Sequence, residues 1–578
     1  MTSSRNSEDI VTQICGNFGK WQLKTLIFVC LCKIPATWFM ACISFTAPVP
    51  QTAEFLCIPA EKDSQHHTLR PAEMWLKNHQ PPASKESWEK TDREFFINQC
   101  YTHRLVSPAT DVINSSDYEW KISPSNKSYL FGNSDAVQTV EVPCEQFEHR
   151  VEYKSLVTQF DLVCSREMLV SLTQAFHALG GLIGGIMAMN ILKYISPKRL
   201  MMFGIIGQII CGNLTGLVST FILHVYYRCL TSVFCSFMMA SGQAIVNDIT
   251  SGKERTIINI LSELFASIAL ILLPGVHMYC DSWTHLYIVI SSSLLLFIIP
   301  QRFITDSPRW HLKQGNLDET LKILTQAAAI NCRKIPNDVL SRLEQKSWQM
   351  RNSRSPSYWS IWDGKTPRRF IFMLHWNWSV SVVIYTVMIL MIRLLGVKYM
   401  HVNTFCLGFA EMLGIAMGLY MFLYSKRHWL HSGCLLIFAG VTTYLIWLSP
   451  DGVKESRKAG YELLFWIILK MLNSAVLVVL TTRTGEMVAP EKRPSLMLST
   501  GCFSRFWLTV VPFTLVVGKI HYLLPMTMFA TAAISSGAMM CYFNRHFQTT
   551  EAKANIVPTQ TCAYRKRSSL LFEGSENI

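Results

Sequence analysis

Twelve long apolar segments, separated by polar turns and two longer polar stretches, limit what this chain can fold into. A helix needs about 20 apolar residues to cross the hydrocarbon core of a bilayer, and these segments have about that length. Lipid cannot satisfy backbone hydrogen bonds, so such segments are expected to be helices. We predict membrane spans at 23–47, 168–190, 199–222, 228–247, 256–278, 283–301, 370–392, 402–424, 430–449, 461–482, 495–518 and 522–543.

The composition agrees with a protein that crosses a membrane many times. Half of the residues are hydrophobic and 16% are charged, whereas soluble domains carry roughly 25% charged residues. The net charge of +14 is explained by Lys and Arg in segments expected to face the cytoplasm, so it does not indicate nucleic-acid binding. Because residues 1–22 are largely polar, we expect no cleavable signal peptide.

The first long polar stretch, 48–155, has the features of an extracellular loop. It carries glycosylation sequons at Asn114 and Asn126. Such sequons, together with the spaced cysteines, favour the extracellular side. Four cysteines lie in it or at its far end, and they could form two disulfides in any of three pairings. The candidate disulfide cysteines are Cys57, Cys100, Cys144 and Cys164.

The second polar stretch, 302–368, is basic and includes an amphipathic helical pattern at Leu317–Ala328. Its excess of Lys and Arg predicts a cytoplasmic position, and basic residues at short junctions such as Lys198 and Arg199 agree with this. The expected organisation is a multi-pass plasma-membrane protein with both termini cytoplasmic: an N-terminus (1–22), an N-terminal six-helix half (23–301), a linker (302–368), a C-terminal six-helix half (369–543) and a tail (544–578).

Two of the predicted spans contain a cation within their apolar run. Lys470 lies inside Leu463–Leu480, and Arg505 lies inside Leu496–Val517. A Lys or Arg at the bilayer centre costs about 2.5–3.5 kcal/mol. Either these cations face a wet cavity and a ligand, or they reach an interface or an internal ion pair that fixes helix packing.

The motifs of several other protein classes are missing from the sequence. It has no GxxxxGK[ST] phosphate loop, no HExxH motif and no regular Cys/His metal spacing, so we expect neither an enzyme nor a metal or cofactor site. Six spans, a cytoplasmic linker and six more spans are typical of the all-α major facilitator fold. Such folds bind substrate near the membrane midplane between their two halves.

Three stretches resemble the organic cation, anion and carnitine transporter family (solute carrier 22-like) of the major facilitator superfamily. Gly16–Gln22 resembles its G-x-FG-x-x-Q segment before span one, and Val157–Cys164 resembles its entry to span two. Asp306–Trp310, with Gly315 after it, resembles its ESPRW motif after span six. The large loop after span one is also typical, and the sequence is interpreted as a divergent member.

The resemblance implies two gating pairs. Asp248 and Arg255 match an acid and an Arg that are seven residues apart after span four, although an ordinary solvated loop is the alternative. Glu486 and Arg493 match the ends of the family's E-x-Y-P-T-x-x-R motif. Here the proline is displaced to Pro490, so the loop departs from the family pattern.

The resemblance also implies substrate-binding residues in the second half. Glu411 and Lys470 match charged positions in spans eight and ten, and Tyr385 places a hydroxyl in span seven that needs a partner. Arg505 matches a span-eleven position at which anion- and carnitine-type members carry Arg. A guanidinium can hold a carboxylate through two parallel hydrogen bonds. The alternative for Arg505 is an internal pair with Glu411.

The chain departs from the superfamily in the loop between spans two and three. The usual acid is replaced by Lys193, the first arginine by Tyr194 and the glycine by Ser196, and the counterpart at 424–429 also lacks its acid. Another contact must close this side, or transport is altered or lost. We therefore predict a transporter of small organic ions, favouring anions or carnitine-like zwitterions, with an unspecified coupling ion and oligomeric state. An organic cation transporter and a non-transporting receptor or scaffold are the alternatives.

Overall fold

The computed structural model describes residues 10–48, 55–58, 101–106, 138–143, 146–149, 151, 153–352, 361–362, 368–392, 399–447, 455–487, 492–517, 524–525, 527–542 and 544. The chain forms two compact units. One comprises Met1–Val49 with Met168–Ile578, and the other comprises Pro50–Glu167. We describe each unit by itself.

The first unit is helical, and the helices are numbered here along the whole chain. They are α1 (Ile10–Cys15), α2 (Lys20–Ala41), α3 (Ile43–Thr46), α4 (Leu156–Phe160, in the second unit), α5 (Met168–Ile191), α6 (Pro197–Leu217), α7 (Phe221–Ile249), α8 (Gly252–Met278), α9 (Trp283–Ser292), α10 (Pro308–Gln314), α11 (Leu317–Ile330), α12 (Val339–Asn352), α13 (Arg368–Met391), α14 (Met400–Tyr424), α15 (His428–Trp447), α16 (Glu455–Arg483), α17 (Arg493–Val517) and α18 (527–542).

Within the described residues, ten helical segments are long and apolar enough to cross a membrane. They coincide with ten of the twelve predicted spans, from α2 and its continuation α3 to α17. The two other predicted spans, 430–449 and 522–543, are helical at His428–Trp447 and 527–542. The prediction of helices at these spans is therefore confirmed.

Small residues set a close helix contact in the first half. A Cβ atom on Gly180 would lie 2.2 Å from the carbonyl oxygen of Cys229, and one on Gly184 would lie 2.7 Å from that of Val233. Larger side chains would therefore force α5 away from α7. Small-residue contacts of this kind are common between membrane helices, because dispersion contacts hold such helices together in lipid.

The motif before span one is held by a residue of the linker. Gln22 donates from Nε2 to the carbonyl oxygen of Gly16 at 3.1 Å, and Asn331 donates from Nδ2 to Gln22 Oε1 at 2.9 Å. Gly16 has a φ of +79°, a conformation that L side chains rarely adopt. The amphipathic pattern predicted at Leu317–Ala328 is confirmed as α11, which buries Ile323, Leu324, Ala327 and Ala328.

The second unit contains the strands of the described structure. Strand β1 (Phe55–Ile58) pairs antiparallel with β4 (Gln146–His149), and β2 (Tyr101–Val106) pairs antiparallel with β3 (Gln138–Pro143). The predicted loop 48–155 is thus part of a compact unit that contains two strand pairs. Its helix α4 begins with a capping box in which Ser155 and Thr158 bond to each other's backbone N–H, which satisfies free donors at the helix start.

Candidate functional site

Three predicted residues meet in the interior of the second half. Lys470 Nζ on α16 lies 3.0 Å from Glu411 Oε2 on α14, and the two side chains are 1% and 5% exposed. Tyr385 on α13 donates its hydroxyl to Glu411 Oε1 at 3.1 Å. The Lys470 ammonium also lies 3.3 Å from the centre of the Tyr385 ring, a cation–π contact. We call these three residues the triad.

Glycines on α14 allow the triad to form. A Cβ atom on Gly414 would lie 2.3 Å from the carbonyl oxygen of Met471, and one on Gly418 would lie 2.7 Å from Val478. Helices α14 and α16 therefore approach closely just beyond Glu411. For Lys470, the structure shows the internal ion pair that the sequence left open, and its low exposure excludes snorkelling to an interface.

A second ion pair lies in the first half, and the sequence reasoning missed it. Lys33 on α2 donates from Nζ to Glu263 Oε1 at 2.7 Å and to Ser262 Oγ at 2.9 Å, both on α8. The Lys33 side chain is 6% exposed, whereas that of Glu263 is 51% exposed. The signal that singled out Lys470, a charge inside an apolar run, was present at both positions.

Glu263 in the first half lies close enough to the Tyr385 hydroxyl in the second half to interact with it electrostatically. The Lys33–Glu263 pair and the triad therefore interact across the boundary between the halves, and each of the two ion pairs has balanced formal charge.

Arg505 joins the two halves. Its Nη1 donates a hydrogen bond to the carbonyl oxygen of Gly181 on α5 at 2.7 Å, and a Cβ atom on Gly185 would lie 2.4 Å from the same Nη1. Glu411 pairs with Lys470, so the alternative pair between Arg505 and Glu411 is wrong. Arg505 as a residue is partly exposed, and among the described residues no carboxylate forms an ion pair with it.

The halves meet a second time where α8 packs against α14. A Cβ atom on Gly408 would lie 2.9 Å from the side chain of Ile271. Toward one end of these helices, His277 Nδ1 lies 2.9 Å from His401 Nε2. Close packing thus connects the halves both at α5 with α17 and at α8 with α14.

The predicted pair Asp248 and Arg255 lines a cleft of about 570 Å³ beside the start of α8. The carboxylate of Asp248 accepts a hydrogen bond from the Ser307 hydroxyl, and its backbone carbonyl accepts one from Arg309. Arg255 donates from Nε to the carbonyl oxygen of Thr250 at 2.9 Å. The segment after span six is thus tied to the end of α7 beside this cleft.

The loop that lacks its usual acid receives a carboxylate from the same segment. Asp306 accepts hydrogen bonds from the backbone N–H groups of Lys198 at 3.1 Å and Ser307 at 2.8 Å. Burial opposes ionisation of Asp306, but hydrogen bonds from His311, from Ser196 and from these backbone groups outweigh it and lower the pKa of its carboxyl. Asp306 therefore places a carboxylate at this loop.

Other predicted residues are placed only in part. Glu486 lies in a short 3₁₀ helix, Thr484–Met487, and its side chain is outside the described residues, while Arg493 is exposed at the start of α17. Cys164 is disulfide-bonded. The side chain of Cys57 and all of Cys100, Cys144, Asn114 and Asn126 lie outside the described residues.

A further intramembrane cation was also missed. Arg228 on α7 is fully buried and donates from Nη2 to Gln174 Oε1 on α5 at 3.0 Å. Its guanidinium carbon lies 5.6 Å from the centre of the Tyr287 ring. Within the described parts of the chain, no group of three or more His, Cys, Asp or Glu side chains is arranged to hold a metal ion.

Comparisons with known proteins agree with this architecture. Residues 165–550 match the Major Facilitator Superfamily model. Solute carrier family 22 member 3 from Mus musculus is 24% identical over 76% of each chain, and member 13 from Homo sapiens is 22% identical over 91% of this chain and 88% of that protein. A structure of the proton:xylose symporter XylE shares the fold, with a TM-score of 0.51 and 12% identity over 66% of this chain and 86% of that chain. The chain belongs to the major facilitator superfamily, as a divergent protein similar to solute carrier family 22.

Proposed function

We propose that this protein is a secondary transporter that moves small organic ions across the plasma membrane by alternating access. Organic anions or carnitine-like zwitterions are proposed as its substrates, in preference to simple cations. The family and the two close contacts between the halves support this proposal, because major facilitator halves rock around a central site.

The position of Arg505 carries the anion preference. This partly exposed residue lies inside an apolar span, at the contact between the halves, and donates a hydrogen bond to a neutral carbonyl oxygen. A cation in this position is costly unless an anion or water compensates it. We propose that a substrate carboxylate binds Arg505, with Lys470, Glu411 and Tyr385 forming the wall behind it.

The test is uptake by cells that express the protein. Arg505→Ala is expected to abolish saturable uptake of organic anions with normal surface expression. Arg505→Lys is expected to keep partial uptake, because the positive charge remains but the planar guanidinium with its parallel donors is lost. Lys322→Ala removes a cation from an exposed pair on α11 and serves as the matched control. Unchanged uptake kinetics in Arg505→Ala would contradict the proposal.

Lys193, at the position of the usual acid, favours one other function, a non-transporting receptor that keeps the transporter fold. Asp306 supports transport instead, because it supplies a carboxylate to the same loop. Purified protein in sealed vesicles separates these functions. Substrate-dependent flux is expected for the transporter, whereas binding without flux would favour the receptor.

A further inference from the structure

We propose that the Glu263 carboxylate, anchored by Lys33, is a binding site for a positively charged ammonium group. The ligand would then be a zwitterion rather than a plain anion or a plain cation. This inference rests on the proposed function, because it requires the ligand to enter the space between the halves. It adds a first-half residue to a site whose other candidate residues all lie in the second half.

The geometry of the Lys33–Glu263 pair leaves one side of the carboxylate open. Oε1 is engaged by the Lys33 ammonium at 2.7 Å, and Lys33 is fixed further by Ser262 Oγ. The Glu263 side chain is nevertheless 51% exposed, while Lys33 is 6% exposed. An ion pair that served only to neutralise two charges inside the helix bundle would bury both side chains. Here the Lys33 side chain is buried and the Glu263 side chain is exposed.

Glu263 lies on α8, the helix that packs against α14 of the second half. Glu263 interacts electrostatically with Tyr385, a partly exposed residue of the other half, and its ion-pair partner Lys33 lies on α2. On α8 it follows Arg255 and Asn259 at intervals of four residues, so the three lie along one side of the helix. Of these three, Arg255 lines the cleft of about 570 Å³.

The other central charges are arranged differently. Lys470 and Glu411 neutralise each other and are 1% and 5% exposed, so their charges are already compensated. Arg505 is partly exposed, and the Glu263 side chain is 51% exposed. A ligand with a carboxylate for Arg505 and an ammonium for Glu263 would pair with both, and each contact offsets part of the cost of desolvating one ligand charge.

Two probes that differ in one atom test the site. In 4-(trimethylammonio)butanoate the trimethylammonium nitrogen carries the positive charge, and in 5,5-dimethylhexanoate a carbon replaces that nitrogen with the same shape. Binding of each is measured to the purified full-length protein in lipid nanodiscs, which requires no flux. The wild type is expected to bind the ammonium probe about tenfold more tightly than 5,5-dimethylhexanoate, because the ammonium makes one additional charge contact in a water-filled cleft.

Two substitutions should move this preference in opposite directions. Glu263→Gln is expected to abolish it while leaving the affinity for 5,5-dimethylhexanoate within about twofold of the wild type. Lys33→Met removes the cation that competes for the carboxylate, and it is expected to increase the preference. Glu344→Gln, an exposed acid on α12, is the matched control and should behave as the wild type.

Equal binding of the two probes by the wild type, or a preference that survives Glu263→Gln, would overturn the proposed ammonium site. A purely structural ion pair predicts that Lys33→Met lowers thermal stability without strengthening ammonium binding. Flux in vesicles is measured separately. Preferential binding of the ammonium probe without flux would support the ammonium site and contradict transport. Flux of both probes with equal affinity would support transport and contradict the ammonium site.

Discussion

The Arg505 guanidinium on α17 hydrogen-bonds to the Gly181 carbonyl oxygen on α5 at 2.7 Å, which joins the two halves of the bundle. The glycines of this helix serve two neighbours. Gly180 and Gly184 allow α5 to approach α7, while Gly185 leaves room for the guanidinium. The same glycine-rich turn therefore controls packing within one half and contact between the halves.

Alanine substitutions on α5 should separate these two roles. Gly180→Ala places a methyl group 2.2 Å from a backbone oxygen of α7, which cannot move aside easily. We expect it to lower stability by about 1–3 kcal/mol or more, as overpacking does. Gly185→Ala displaces the mobile end of Arg505 and should destabilise less. The melting temperature in detergent measures both.

Gly501→Ala on α17 is the control for this series, because no atom lies within 4 Å of the added Cβ position. It is expected to leave stability unchanged or to raise it slightly, since alanine favours helix. A larger loss for Gly185→Ala than for Gly180→Ala would contradict the described contacts.

The triad predicts strong non-additivity between its charges. Lys470→Met leaves Glu411 buried without its ammonium partner, and we expect a loss of about 3–5 kcal/mol in stability. The double variant Lys470→Met with Glu411→Gln removes both charges and should recover most of that loss. A double-mutant cycle on melting temperatures in detergent measures the coupling. Additive effects would show that the two side chains do not interact as described.

Asp306 predicts a loss of stability in acid. Its pKa is lower in the folded protein than in the unfolded chain, so its contribution is present above the unfolded value and is lost as pH falls through the folded value. Asp306→Asn should therefore lower stability at neutral pH and flatten the decline below about pH 4. Asp318→Asn, an exposed acid on α11, is the control, and pH-dependent melting is the measurement.

Cysteine labelling tests the second unit of the chain. Cys164 is disulfide-bonded, whereas Cys332 is free and exposed at the end of α11. Alkylation of the native protein should therefore modify Cys332 directly and Cys164 only after reduction. Mass spectrometry of the digested protein reads out both sites. Direct labelling of Cys164 without reductant would contradict the disulfide.

Sequence reasoning succeeded where a local rule applied. The spans were predictable because lipid excludes water and leaves the helix as the local way to satisfy the backbone. The short motifs also had local causes, since Gly16 requires a left-handed conformation and Gln22 bonds back to it. The amphipathic helix α11 was visible from its periodic apolar residues in the same way.

Lys33 and Glu263 were missed although each interrupts an apolar run. They lie in different spans, separated by the whole second unit, and the sequence gives no sign that they are partners. Lys470 and Arg505 both lie in the second half, so the site predicted from them was confined to that half. The helix order brings α2 and α8 together, and that contact turns two isolated charges into a pair.

The sequence by itself determined that this chain crosses a membrane repeatedly, because apolar length is a local property, and it marked Lys470 and Arg505 as cations whose burial needs compensation. The tertiary structure alone decided what compensates them. Lys470 pairs with Glu411 inside one half, while Arg505 reaches across to Gly181 in the other. Electrostatic partners depend on distances of a few ångströms between helices, and those distances are set by packing at glycines far apart in the chain.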